Sequence, residues 1–320
     1  MRAADSLLPT WSTDPGAGAA FTEDRARGAL NAPLYASPRM VIDRFRVRPD
    51  HDMWCGVSVA RSHMIVFARR AVEIEQAARR RLVASPVIAT LYNRGQEYRR
   101  TPIEDEDLNE AFHFAPGLVR DAIAAFDPSV LDREDVFAHG SFPVSASTYL
   151  LQRRVVLYAA RGPHADPLRV EEGALQVLER SLADAHDAWS QHRRRGVSPS
   201  TPSGQREAVR QALRIITAAP ERRMTLDELS DAVELSPFHL CRVFRAHVGM
   251  TIGEFVHRER LRRSLGELER ASIDLTEVAL KYGYASHSHF TSRFGREFNA
   301  TPSTIRRALS RGGLPADAIL

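Results

Sequence analysis

The stretch TLDELSDAVELSPFHLCRVFRAHVG, residues 225–249, decides how the C-terminal third of the chain is read. Thr225 stands three residues before Glu228. That is the spacing of a capping box, in which the two side chains satisfy free backbone N–H groups reciprocally, so a helix is predicted to begin there. Leu226, Leu229, Ala232 and Val233 follow at helical spacing and make one apolar face. Ser236-Pro237 opens a second helix, because serine caps free N–H groups and proline has no N–H to leave unpaired at the first helical position. Leu240, Val243, Phe244 and Val248 supply its buried side, and Gly249 suits a left-handed stop. Phe238, Cys241, Arg242 and Arg245 fall at i, i+3, i+4 and i+7 and share the opposite face. A short charged helix face is most often merely solvated. It is also the face that fits a major groove, where an arginine reaches O6 and N7 of guanine with two hydrogen bonds.

Repetition favours the second reading. Fifty residues on, SPFHLCRVF returns as SHSHFTSRF, matching Ser236 to Ser286, Leu240 to Phe290 and Phe244 to Phe294. The preceding helix also repeats, with Asp274 as its cap, Glu277 three residues later and one extra residue at the Gly283 turn. The outward face of this copy carries His287, Ser288, Thr291, Ser292 and Gly295. Small hydroxyls discriminate bases less sharply than a bidentate arginine, so the second unit is predicted to be the more degenerate reader. Between the units, residues 251–271 form a linker helix capped by Thr251 and Glu254, with Phe255, Leu261, Leu265 and Leu268 on its apolar side. A helix of that length spans about 30 Å, and successive major grooves on one face of DNA are about 34 Å apart. One chain can thus present two reading helices to adjacent grooves. Thr301-Pro302 opens a last helix.

These features resemble the DNA-binding domain of the AraC/XylS family of bacterial transcription regulators. The resemblance runs from Gln205 to Leu309. It is carried by Ser236-Pro237-Phe238-His239-Leu240, Arg242-Val243-Phe244-Arg245, Gly249-Met250-Thr251, Gly283-Tyr284-Ala285-Ser286-His287-Ser288-His289-Phe290 and Phe294-x-Arg296-x-Phe298-x-x-Thr301-Pro302. It implies base contacts at Phe238, Cys241 and Arg242 and, in the second unit, at His287, Ser288, Thr291 and Ser292. With Arg245 and Arg296 these make the candidate DNA-binding set. Three positions depart from the family: Ile252 replaces a common proline, Cys241 a usually longer or polar residue, and Ser292 a frequent arginine. The resemblance also implies RNA polymerase and a small-molecule effector as partners, and a homodimer.

Length and composition set the wider frame. A chain of 320 residues that is 43% hydrophobic has room for two domains. The net charge is only +4, and residues 221–312 hold 15 Arg and Lys against 12 Asp and Glu, so charge alone does not mark a nucleic-acid binder. Lys281 is the only lysine, and runs such as Arg193-Arg194-Arg195 read as solvated surface. Cys55 and Cys241 form no metal or disulfide spacing. No apolar run is long enough for a membrane span and no signal peptide is visible, so a cytoplasmic protein without a membrane partner is expected.

Residues 1–36 read as a flexible arm; the family resemblance implies that such an arm contacts the effector or the DNA-binding domain, which makes Trp11 and Phe21 the candidates. The same resemblance implies that residues 37–194 are a sensor and dimerisation domain. Within it, residues 62–68, 71–75 and 87–92 are strand-like, Asn93-Arg94-Gly95 is a turn signal, and many short strands imply a barrel or double-sheet roll. Leu91-Tyr92-Asn93-Arg94-Gly95-Gln96-x-Tyr98-Arg99-Arg100 resembles the cupin-like sensor half of some AraC-type regulators. Helices are predicted over 117–126, 145–160 and 169–192. The last carries a stripe of Val170, Ala174, Leu178, Leu182, Ala185 and Trp189, which packs either on its own domain or on a second subunit. Residues 195–204 form a linker, 205–311 the double helix-turn-helix domain and 312–320 a tail. The predicted fold is α+β multidomain: a cupin-like β-barrel or roll with flanking helices, then an all-α domain.

The rival reading is a cupin-type enzyme fused to a DNA-binding tail. His51, His63 and His113 are scattered, and His287 and His289 point to opposite sides of a helix, so no metal set is expected. Neither a nucleophile elbow nor a phosphate-binding glycine loop appears, and no catalytic residue or cofactor is assigned.

Overall fold

The computed structural model describes residues 30–48, 50–51, 54, 56–76, 80–194, 203–269 and 273–310. Ten strands come first: β1 (Leu30–Ala36), β2 (Met40–Val47), β3 (Ser58–Val59), β4 (His63–Ala68), β5 (Val72–Gln76), β6 (Arg80–Ala84), β7 (Ile88–Tyr92), β8 (Glu97–Pro102), β9 (Asp107–Phe114) and β10 (Ser141–Pro143). Helix α1 (Pro116–Ala124) precedes β10, and α2 (Ala146–Ala159) and α3 (Pro167–Arg194) follow it. The C-terminal part is helical: α4 (Ser203–Ala218), α5 (Leu226–Ala232), α6 (Pro237–Val248), α7 (Ile252–Leu268), α8 (Leu275–Lys281), α9 (His287–Phe298) and α10 (Pro302–Ser310).

The strands build two antiparallel sheets, ordered β1-β2-β9-β4-β7-β10 and β3-β8-β5-β6. The first is buried on both faces. Met64 and Ala68 meet Val72, Ile74 and Ala84 of the second sheet, whereas Ile65 and Phe67 join Phe112, Phe114 and the helices. Period-two alternation thus sends apolar side chains both ways, which is why β4 reads as one continuous apolar run.

No ladder joins the two sheets among the described residues, so the domain is a double-sheet roll and not a closed barrel. Prolines mark where pairing stops. Pro33 lies in β1 beside a register shift, and Pro143 ends the three-residue β10; both are outer strands. A proline has no N–H to offer another neighbour, which confines it to edges.

The reading of residues 1–36 as an arm needs correction in its last part. Residues 30–36 are β1, paired antiparallel with β2. Pro33 and the short, mixed composition hid the strand. Trp11 and Phe21 lie outside the described residues, as do 195–202 of the expected linker; Ser203 and Gly204 already belong to α4. The stripe on α3 is used within the chain: Val170, Ala174, Leu178, Leu182 and Ala185 are buried in a common core with α2, and Trp189 is half-buried against it.

The two halves share interiors. Val83, Val87 and Ile88 pack with Ala212, Leu213, Ile216, Leu240 and Phe244, joining the roll to the first helix-turn-helix unit. Leu265, Leu268, Phe290 and Phe294 belong to the same apolar cluster as Val155 and Val177, joining the second unit to α2 and α3.

Candidate nucleic-acid interface

Each helix that positions the candidate surface starts where its cap predicts. Thr225 and Glu228 form a complete capping box at α5, and Thr251 and Glu254 form another at α7. Ser236 accepts from the His239 N–H at 3.3 Å, and Ser286 from the His289 N–H at 3.2 Å. Asp274 caps α8 through the Thr276 N–H at 2.8 Å. Gly249 closes α6 with φ +86°, and Asn299 closes α9 with φ +51°, both left-handed.

Leu240, Val243, Phe244 and Val248 of α6 are buried, and Phe238, Cys241, Arg242 and Arg245 are exposed. Phe238 is 81% exposed, an unusual state for a large apolar ring in a packed domain. In α9, Phe290, Phe294 and Phe298 are buried, while His287, Ser288, Ser292 and Arg296 are exposed. Thr291 is half-buried, with its hydroxyl 3.4 Å from Nε2 of His287. All nine candidate residues therefore sit on α6 or α9, away from the buried phenylalanines.

What sequence reading missed lies on α7. Its apolar side is Phe255, Leu261, Leu265 and Leu268, as the pattern requires, but Glu259, Arg260 and Arg262 are buried too. Arg260 donates to the carbonyls of Pro220, Glu221 and Arg222 before the first unit and to that of Gly283 in the second. One guanidinium thus holds both units to the linker helix. Gly283 has φ +75°, and a Cβ there would stand 2.6 Å from the Glu221 carbonyl oxygen, so only glycine fits this contact.

Arg262 is wholly buried. It donates to the carbonyls of Pro86 (3.0 Å) and Val144 (2.9 Å) in the N-terminal half and to Glu297 on α9. Arg263 makes a two-pronged pair with Glu104, 2.7 Å each, and also binds Glu259 and the Thr217 carbonyl. At the end of α7, Glu269 is held by Arg153 of α2 and Arg69 of the roll. Glu110 lies behind them, in contact with Arg44, Arg69 and Arg153. Burial works against its charge, but Arg153 and Arg69 outweigh burial and hold its carboxyl down at about 2. Arginines on a helix ordinarily read as solvated, which is why this set was invisible. The available signal was Arg262 lying beside Leu261 and three residues before Leu265, on a side that Leu alone does not fill.

The described residues contain no group of three or more His, Cys, Asp or Glu placed to hold a metal ion. One trio bears on the enzyme reading. Ser62 Oγ is 2.8 Å from His113 Nδ1, and His113 Nε2 is 3.0 Å from Asp43. Ser62 has no exposed surface, and the trio ties β2 and β9 to the entry of β4. Burial also drives His63 down to about 4, with Arg120 and Arg94 adding to the effect, so it is neutral at pH 7. No described helix is long and apolar enough to cross a membrane.

Residues 229–308 match the family model for a helix-turn-helix domain. The transcriptional activator AarP of Providencia stuartii is 34% identical over 84 residues, covering 26% of this chain and 62% of its own length. The regulatory protein SoxS of Salmonella typhimurium is 30% identical over 89 residues, 28% of this chain and 83% of SoxS. A solved AraC-type DNA-binding regulator from Chromobacterium violaceum is 25% identical and aligns over 35% of this chain and all of its own, with a TM-score of 0.32. The chain spans less than two thirds of AarP, and these similarities reach only about a third of its own length. Within that third, the match to the helix-turn-helix model and to nearly the whole of SoxS shows that the chain belongs to the AraC family of transcriptional regulators.

Proposed function

We propose that this protein is a sequence-specific, duplex-DNA-binding transcriptional regulator whose N-terminal half senses an effector. The observation that carries the reading is the repeated two-sidedness of α6 and α9. Each buries a row of apolar residues and leaves the opposite side open. Phe238, Cys241, Arg242 and Arg245 form the sharper reader, and His287, Ser288, Thr291, Ser292 and Arg296 the more tolerant one. Arg242 suits bidentate contact with guanine, and the exposed ring of Phe238 suits the thymine methyl group. The cupin-like character of the roll, the sensor role of residues 37–194, the action on RNA polymerase and a homodimeric state belong to the same proposal, as does a cytoplasmic location.

The described part of α7 is 17 residues, about 25 Å of helix, shorter than the stretch read from sequence. The reading helices pack against it, α9 through Arg258 and Arg262 to Glu297, so their separation is set by that packing as well as by its length, against a groove spacing of about 34 Å. The test is selection of bound duplexes from a random pool with the full chain. A bipartite consensus with two boxes about one helical turn apart is expected, and binding should weaken linearly in a log–log plot against salt. Recovery of no consensus, or of binding insensitive to salt, overturns the proposal.

A further inference from the structure

The N-terminal half holds a cavity of about 370 Å³ between α1, α3 and the segment 126–139. It lies outside the roll, on the helical side of the larger sheet. Its walls are flat rings: Phe126 meets His186 edge-on with centroids 5.6 Å apart, His139 lies 4.3 Å from Trp189 at 36°, and Phe137 completes the lining. Arg133 adds the one cation among the lining residues apart from the histidines. Its Nη2 binds Asp127 at 2.6 Å, but its Nε is buried and makes no hydrogen bond. That nitrogen is closed off, but the Arg133 side chain as a whole is 36% exposed, so the open part of the guanidinium is what a ligand oxygen can reach.

The cavity is also wired to the linker helix. Asn93 grips Phe137 through both its backbone N–H and its carbonyl, at 2.9 Å each. Trp189 donates to the Ser141 carbonyl in β10 at 3.4 Å. Three residues later the Val144 carbonyl receives Arg262 of α7, whose other side holds Glu297 of reading helix α9. The chain from Phe137 to Val144 is therefore a single short segment, with the cavity at one end and the DNA-facing domain at the other.

We propose that this cavity is the effector site, that it takes a planar aromatic molecule bearing a hydrogen-bond-accepting oxygen, and that occupancy acts on the reading helices through residues 137–144 and Arg262. The rings stack the ligand, and the open part of the Arg133 guanidinium donates to its oxygen. This rests on the regulator reading for its consequence, but not for binding itself.

The experiment titrates the full chain with 2-naphthoate, following tryptophan emission and calorimetric heat. Cyclohexanecarboxylate, which lacks the ring, and 2-naphthylmethylamine, which lacks the acceptor, serve as comparisons. Saturable binding of 2-naphthoate alone is expected, with Trp189 emission quenched. Arg133→Met should weaken binding at least tenfold, and Trp189→Phe should remove the quenching while calorimetry still reports binding. Arg133 and Trp189 are only partly buried, and thermal unfolding checks that both variants fold. Naphthoate should then change affinity for the selected duplex by about 5–150-fold, the usual range of coupling between two sites. It should also alter hydrogen exchange over residues 137–145. Equal binding of all three probes, no naphthoate binding, or binding indifferent to Arg133→Met overturns the site. Naphthoate binding without any effect on duplex affinity or on exchange overturns the coupling. A chain that binds naphthoate but no duplex sinks the regulator reading and leaves the cavity assignment standing.

Discussion

Nη2 of Arg262 lies 2.9 Å from Oε1 of Glu297, so the linker helix and the second reading helix are joined by a charge pair whose arginine has no exposed surface. The same guanidinium binds two carbonyls of the N-terminal half. Glu297→Gln keeps the shape and removes the charge. It is predicted to cost roughly 1.5–3 kcal/mol, the worth of a hydrogen bond to a charged group, measured by urea unfolding. A variant as stable as the parent would show that the pair merely breaks even.

Arg242→Ala should weaken binding to the selected duplex by about 1–3 kcal/mol and flatten preference at one base pair. Ser292→Ala should cost less and flatten nothing strongly, because a lone hydroxyl makes no bidentate contact. Competition binding against all single-base variants of the consensus reads both effects. Full affinity and preference in Arg242→Ala would mean that the wrong face of α6 has been assigned.

Cys241 is an exposed free thiol in the middle of the proposed reading face. Alkylation there should abolish duplex binding, since a bulky adduct cannot enter the groove with the helix. Bound duplex should in turn protect the thiol. Peptide mass mapping after maleimide treatment, with and without duplex, distinguishes Cys241 from Cys55. Equal labelling in both states would place Cys241 outside the interface.

Gly283→Ala puts a side chain where φ is +75° and the Glu221 carbonyl is 2.6 Å from the new atom. Strain of about 1–3 kcal/mol follows from the backbone alone, and the Arg260 contact beside it must shift. Affinity for the two-box duplex should therefore fall more than affinity for a duplex carrying only the first box. Equal losses would indicate that Arg260 and Gly283 do not set the alignment of the two units.

Glu110 has its carboxyl at about 2 in the folded chain, below the ordinary 4.5, because of Arg153 and Arg69. A depressed folded value contributes stability in full above the unfolded value, and that contribution drains away as pH falls from the ordinary value toward 2. The stability of the parent should thus decline over pH 4.5 to 3 more steeply than that of Glu110→Gln. Arg153→Met should cost about 1–3 kcal/mol near neutrality, because Glu110 and Glu269 lose their shared partner while Arg44 and Arg69 still face Glu110. Chemical unfolding across that pH range measures both, and parallel curves for parent and Glu110→Gln would refute the linkage.

Local rules made much of the C-terminal domain legible. Thr225, Ser236, Thr251, Asp274 and Ser286 each cap the helix they announce, since a cap is an interaction between residues two or three apart. The two-sided pattern of α6 and α9 was equally visible, because helical periodicity alone separates Phe244 from Arg245 and Phe294 from Ser292. Strand β1 was not, since its evidence is a partner: only pairing with β2 makes a strand of a segment broken by Pro33.

Tertiary structure alone decided which arginines are surface and which are structure. Arg242 and Arg262 are indistinguishable as letters in a helix, yet one is open to solvent and the other closed among carbonyls from residues 86 and 144. Their difference depends on groups more than a hundred residues away in the chain, which no local pattern encodes. The sequence by itself determined α6 and α9, their two-sided pattern and their caps. Only the fold determined how the roll grips the rod between them, because a buried charge is defined by the partners that surround it.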